Sequence, residues 1–179
     1  MAFEQLLVLD LDETLVHATE DPLARVPDFH VGPYAVYERP HVRPFLEHVL
    51  ARFAAVAVWT ASTRSYALPV LSRIVDVDRL AFVWCRDRCT LHVDWDTREV
   101  EHLKDIRKLT KRGHRREAIL FVDDTPAKLA RSYGNLVTVR PYLGDEHDDE
   151  LPQLAAYLDT LGSVPNVRTI EKRGWRTRG

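Results

Sequence analysis

The sequence predicts an α/β fold: a Rossmann-like parallel sheet with helices on both faces. Three observations predict it. Short continuous apolar runs, as expected of strands buried on both faces, recur at residues 6–9, 54–59, 119–122 and 136–139. Segments with helical spacing alternate with these runs. The first three runs end in Asp10, Thr60 and Asp123, at the carboxyl ends of strands, where parallel sheets bind their ligands. At 179 residues, 45% hydrophobic and 29% charged, the chain suits one compact domain. That domain is expected over 1–162, with an insert at about 80–100 and a basic tail over 163–179.

In chain order, the run at 6–9 is the first strand, and Asp10 and Asp12 interrupt it. The stretch 17–44 gathers Pro22, Pro27, Gly32, Pro33 and Pro40. Within it, 29–37 predicts a short hairpin around Gly32-Pro33, a lid-like segment over the end of the first strand. Pro44 opens a helix with Phe45, Leu46, Val49 and Leu50 at helical spacing. After the second strand, Thr60-Ala61-Ser62-Thr63 offers caps for a helix towards Val75, which Pro69 should kink or break. Residues 80–100 read as a small inserted β element with turn chemistry near Asp94-Trp95-Asp96-Thr97. Residues 106–116 read as a short basic helix or turn. Beyond the third strand, Pro126 opens a helix through Ala130, and 136–139 is the fourth strand. The last helix, 151–161, follows an acidic run at 145–150 whose carboxylates favour its dipole. The basic tail beyond it, with Trp175, reads as ordered only in part.

Asp10 and Asp12 are two apart, so in extended backbone their side chains project to the same side. With Asp123-Asp124 arriving from another strand, these carboxylates would repel strongly in a low-dielectric cleft. A hard cation relieves the repulsion, and oxygen donors with no Cys or His nearby fit Mg²⁺. An isolated Asp pair reads as a turn or helix cap. Three such strand tips together read as a metal–phosphate site, with Asp10, Asp12, Asp123 and Asp124 as its acids.

Asp10-Leu11-Asp12-Glu13-Thr14-Leu15 resembles the DxDx(T/V) motif of haloacid-dehalogenase phosphatases, in the DLDETL form of the FCP/SCP family of RNA polymerase II C-terminal-domain phosphatases. Thr60, Lys104 and Asp123-Asp124 are similar to the remaining motifs and follow in the family's order, so the resemblance runs from Leu7 to about Leu161. It implies that Asp10 is the nucleophile, forming an aspartyl phosphate, and that Asp12 is the general acid and then base. It implies that Thr60, Ala61, Arg86 and Lys104 bind the substrate phosphate, and that Mg²⁺ sits on the Asp10 carboxylate, the Asp12 carbonyl and one of Asp123 and Asp124. The small phosphatases of the family carry Asn at the second position of that last pair. Here it is Asp124, which adds a negative charge and leaves open which acid binds directly. Lys104 alone would read as a solvated lysine, and Arg86 equally as a surface arginine. The stretch from Cys89 to Lys104 is longer than in the small phosphatases.

The expected function is therefore a Mg²⁺-dependent phosphomonoesterase acting on protein phosphoserine or phosphothreonine. A nucleic-acid end or nucleotide phosphatase and a non-catalytic phospho-ligand binding module are the alternatives. No cap large enough to enclose a small metabolite is recognisable, which favours a macromolecular or extended substrate. A net charge of -2 gives no sign of a bulk nucleic-acid or membrane-surface binder. The basic residues from Lys104 to Arg116 read as a solvated face or as an attractor of anionic substrate. Cys85 and Cys89 form neither a disulfide framework nor a zinc pattern. With no signal-like leader and no run approaching a membrane span, a soluble, cytoplasmic location is expected.

Overall fold

A computed structural model describes residues 3–93 and 98–177. In chain order its elements are β1 (Phe3–Leu9), β2 (Val16–Thr19), β3 (Phe29–Val31), β4 (Tyr34–Glu38), α1 (Val42–Arg52), β5 (Phe53–Trp59) and α2 (Arg64–Ile74). There follow β6 (Val83–Trp84), β7 (Thr90–Val93), β8 (Val100–Leu103), α3 (Arg107–Thr110), β9 (Ile119–Asp123), β10 (Leu136–Thr138) and α4 (Glu150–Leu161). Among the described residues, five strands form one parallel sheet in the order β10-β9-β1-β5-β6. The expected parallel α/β sheet is present, with β1 at its centre.

Alternation along each strand divides the interior into two cores. Leu7 and Leu9 of β1, Val56 and Val58 of β5, and Leu120 and Val122 of β9 face one side. There they meet Phe45, Leu46 and Val49 of α1, Val70, Leu71 and Ile74 of α2, and Leu151, Leu154 and Leu158 of α4. Leu6 and Val8, Ala57 and Trp59, and Ile119 and Phe121 face the other side, against Ile106, Leu109 and Leu129. Helical cover on both faces is what allows these strands to be apolar throughout. Each fully buried Leu or Val contributes about 1.5–3 kcal/mol through burial.

Several details depart from the pattern. Pro69 does not break its helix into two: α2 runs from Arg64 to Ile74 with Pro69 inside. The missing N–H would have bonded to the carbonyl of Ser65, in the first turn, so the cost falls near the helix start while Val70, Leu71 and Ile74 anchor the remainder. The region read as one inserted β element contains two things. β6 is the edge strand of the main sheet, paired through Val58↔Val83 and Trp59↔Trp84, whereas β7 and β8 form a separate antiparallel ribbon. The turn expected near 94–97 lies outside the described residues. Pro126 opens a 3₁₀ turn, Pro126–Leu129, in place of an α-helix.

The lid-like segment is a three-stranded antiparallel sheet, β2-β4-β3, with Gly32 at φ 56 in the β3–β4 turn. Its root is held by Arg39, which is 1% exposed. The guanidinium donates to the Thr14 carbonyl (3.1 Å), the Arg140 carbonyl (3.0 Å) and both Asp148 oxygens (2.7 and 2.8 Å). The segment after α4 packs on the domain: the buried Trp175 stacks on Tyr157 at 5.2 Å and donates to the Thr138 carbonyl at 2.8 Å. Beside it, Arg176 pairs with the fully buried Glu150, as does Arg140 at 2.9 Å.

Candidate active site

Parallel register brings three strand tips level. Leu9 lies opposite both Val58 and Val122. The Asp10 N–H continues the ladder to the Val122 carbonyl at 2.9 Å, and the Thr60 N–H reaches the Trp84 carbonyl, also at 2.9 Å. Asp10, Thr60 and Asp123 are thus neighbours, all buried. After Asp10 the chain folds back, with the Thr14, Leu15 and Val16 N–H groups all donating to the Leu11 carbonyl and Glu13 at φ 56. Within this compact loop Asp12 lies beyond the end of β1, and the two aspartates acquire different partners.

Asp10 is met by lysines. Lys104 Nζ lies 2.7 Å from Asp10 Oδ1 and 2.5 Å from Asp123 Oδ2, with all three side chains 1% exposed. Lys128 Nζ lies 3.3 Å from Asp10 Oδ2. Burial pushes the Asp10 carboxyl up, but the charges of Lys104 and Lys128 outweigh it and hold the group below the usual carboxylate range. Asp10 is ionised. Burial and the Asp10 charge push Asp123 up instead, to about 6.

Asp12 is met by hydroxyls. Tyr66 donates to Oδ1 at 2.6 Å, Ser62 to Oδ2 at 2.7 Å and Thr60 to Oδ2 at 3.4 Å. Burial raises the Asp12 carboxyl, and the Tyr66 and Ser62 hydrogen bonds only partly oppose it. Glu13 is pushed up to about 7 by burial and the charges of Asp12, Asp124 and Asp10. Two carboxylates two residues apart are therefore biased towards opposite protonation states, as an acid and a nucleophile require.

Asp10, Asp123 and Asp124 each offer an oxygen within 4.8 Å of the others. An oxygen-only set of this kind suits Mg²⁺. Both Asp123 oxygens are committed, one to Lys104 and one to the Thr125 N–H at 2.9 Å. Asp124 is half-buried and, among the described residues, accepts from the hydroxyls of Thr14 (3.5 Å) and Thr125 (3.0 Å). An open cleft of about 470 Å³ lies over the site, lined by Asp10, Asp12, Thr60, Ala61, Arg86 and Lys128, with Tyr34 and Ala18 from the lid. Arg86 is exposed and its Nε donates to the Ala61 carbonyl at 2.7 Å.

The structure thus gathers Asp10, Asp12, Thr60, Lys104, Asp123 and Asp124 at one place and sets Ala61 and Arg86 on the cleft wall. The sequence reading gave Lys128, Tyr66 and Ser62 no part in the chemistry. Ser62 lies in the loop before α2 and Tyr66 in its first turn, so no helical spacing links the two hydroxyls. Lys128, four residues after Asp124 in a Pro-led turn, carries no local signal either.

A central parallel strand ending in a lysine-held aspartate, a second aspartate two residues on and a lysine-bridged acid pair at a third strand are the frame of the haloacid-dehalogenase superfamily. Within it, the chain belongs to the NLI interacting factor-like phosphatase family, whose description matches residues 5–168. It is 34% identical over 173 residues to a Dictyostelium discoideum "Probable C-terminal domain small phosphatase", covering 92% of this chain and 53% of the relative. It is 32% identical over 171 residues to "CTD small phosphatase-like protein 2" of the same organism, covering 90% of this chain and 28% of the relative. The chain therefore spans about half or less of the length of these curated relatives. The solved structure of Fcp1, described as an essential RNA polymerase II CTD phosphatase, shares the fold. Its TM-score is 0.67 at 19% identity, over 90% of this chain and 63% of that one.

The cytoplasmic location expected from the sequence is corrected by other relatives. The "CTD nuclear envelope phosphatase 1 homolog" of Caenorhabditis elegans is 29% identical over 187 residues, covering 94% of this chain and 71% of the relative. "Nuclear envelope morphology protein 1" of Schizosaccharomyces pombe is 30% identical over 175 residues. Net charge and short apolar runs describe a surface and do not specify a compartment. Among the described residues no helix is long and apolar enough to cross a membrane.

Proposed function

We propose that this chain is a Mg²⁺-dependent phosphomonoesterase that works through an aspartyl phosphate on Asp10 and takes phosphoserine or phosphothreonine in an extended protein segment. The observation that carries the reading is the contrast between Asp10, buried and held ionised between two lysines, and Asp12, held by hydroxyls and raised by burial.

In the first step an Asp10 oxygen forms a bond to phosphorus as the ester P–O bond breaks, and Asp12 gives its proton to the leaving alkoxide. In the second, Asp12 takes a proton from the water that attacks phosphorus, releasing phosphate and restoring Asp10. Asp10, the Asp12 carbonyl and Asp124 would hold Mg²⁺, which supplies charge neutralisation for the phosphoryl oxygens. Asp123, with both oxygens engaged, positions Lys104. Thr60, Ala61 and Arg86 on the cleft wall would receive the phosphate, while Lys104 holds Asp10 from beneath. The catalytic unit would run over 1–162, with Val167 and Trp175 of the following segment buried in its core.

The extended substrate is supported by the open cleft, walled on one side by the small β2-β4-β3 lid, and by the similarity to C-terminal-domain phosphatases. The test begins with an aryl phosphate: turnover with Mg²⁺ is expected, and Asp10→Asn should abolish both turnover and trapping of labelled phosphate on the chain. A panel of phosphopeptides against 3′- and 5′-phosphorylated oligonucleotides then decides the substrate. Preference for oligonucleotide ends would replace the protein-substrate reading with the nucleic-acid one.

A further inference from the structure

Two lysines reach Asp10, and they are placed differently. Lys104 is enclosed between Asp10 and Asp123, and its ammonium does not line the cleft. Lys128 does line it, beside Asp10, Asp12 and Thr60, with its side chain 26% exposed. It faces Oδ2 of Asp10, the oxygen that Lys104 leaves uncovered, at 3.3 Å. That is longer than the roughly 2.7–2.9 Å of a fully formed charged hydrogen bond, so the contact can yield to a better acceptor.

The backbone of Lys128 is fixed at both ends. Its N–H donates to the Thr125 carbonyl at 3.1 Å, and its carbonyl accepts from the Lys104 N–H at 2.8 Å. The 3₁₀ turn carrying one lysine is thereby pinned to the chain carrying the other. The local charges favour a second cation here as well. Asp10, Asp12, Asp123 and Asp124 converge here, Lys104 is already shared between Asp10 and Asp123, and the Asp at 124 adds one acidic group to the pattern this chain resembles.

We propose that Lys128 is a second phosphate-binding cation of this site: it contacts a non-bridging oxygen of the phosphoryl group as that group is transferred to Asp10, and it offsets the charge added by Asp124. The inference rests on the phosphatase reading above. Lys128 moves no proton and forms no covalent bond. Its ammonium supplies fixed positive charge where negative charge gathers on the phosphoryl oxygens.

The experiment compares wild type, Lys128→Ala, Lys128→Met and Lys128→Arg by three readouts: orthovanadate affinity with Mg²⁺, Mg²⁺ affinity alone by calorimetry, and aryl phosphate kinetics. Losing the cation is expected to weaken vanadate about 10-fold and to lower kcat/KM about 10- to 100-fold. Mg²⁺ should bind tighter, because a repelling charge has gone, and Lys128→Arg should recover most of the vanadate affinity. Lys128→Met keeps the apolar stem and carries the result if the alanine variant folds poorly. Unchanged vanadate affinity with tighter Mg²⁺ would overturn the proposal, since Lys128 would then be only a counter-ion to the acids. A wild type that binds vanadate but turns over no phosphate ester defeats the phosphatase reading instead, and the vanadate comparison still decides the role of Lys128.

Discussion

Lys104→Met tests how the site is held together before any substrate arrives. The substitution keeps the apolar stem and removes the charge that lies 2.7 Å from Asp10 and 2.5 Å from Asp123, all three side chains being almost wholly enclosed. Breaking a buried ion pair by removing one partner costs about 3–5 kcal/mol, because the stranded charge stays buried. Here two carboxylates are stranded, with only Lys128 at 3.3 Å from Asp10 to help. With a urea m-value of about 2 kcal/mol/M, the midpoint should fall by about 1.5–2.5 M. The sign of the pH dependence follows from the same charges. In the wild type Asp10 is held below its unfolded value, so its contribution is present near neutrality and is lost as pH falls through the folded value. Without Lys104 the stranded acids titrate above their unfolded values, so the variant loses stability as pH rises through the acid range. The deficit should be largest near pH 7 and shrink towards pH 4. Mg²⁺ at a hundred times its dissociation constant should return about 2.7 kcal/mol. Urea melts at several pH values, with Mg²⁺ and with chelator, measure all of this. A deficit below about 1 kcal/mol at pH 7, or one that ignores both pH and Mg²⁺, would refute the reasoning.

Other expectations follow from contacts around the same frame. Tyr66→Phe removes the 2.6 Å donor to Asp12, which should raise that carboxyl further and move the basic limb of the kcat/KM profile to higher pH; an unmoved limb would deny Tyr66 a part in setting the acid. Trp175→Ala should cost about 3–5 kcal/mol in a urea melt, because the indole is buried, stacked on Tyr157 and bonded to the Thr138 carbonyl. Lys172 is lowered to about 8 by burial, whereas an unfolded lysine titrates near about 10.4, so the unfolded chain binds more protons between these values. Stability should therefore rise over about pH 8 to 10, and urea melts of Lys172→Met should lose that slope.

The sheet was legible because its strands are enclosed on both faces, and such strands advertise themselves as unbroken apolar runs. β6 was not, since Val83-Trp84 is too short to show a period and joins the sheet only by pairing with Val58 and Trp59. The acids of the site were legible because they gather at the ends of two apolar strands: Asp10 follows β1 and Asp123 closes β9. Lys104 was readable only in company, as one term of an ordered series. Tyr66 and Lys128 escaped because their roles are set by distance in space: fifty-four positions separate Tyr66 from Asp12, and 118 separate Lys128 from Asp10. No local pattern encodes either approach. The order of the last segment escaped for a similar reason, as Trp175 has its partners at Tyr157 and Thr138.

Arg39 clamps the base of the small antiparallel sheet to the loop behind the nucleophile, and it leaves the far rim, around Gly32, untouched. Change can then accumulate at that rim without disturbing the alignment of the reacting carboxylates. On the function proposed here, selectivity and reactivity would be separable properties of this scaffold, the first set by the lid and the second by the clamped loop.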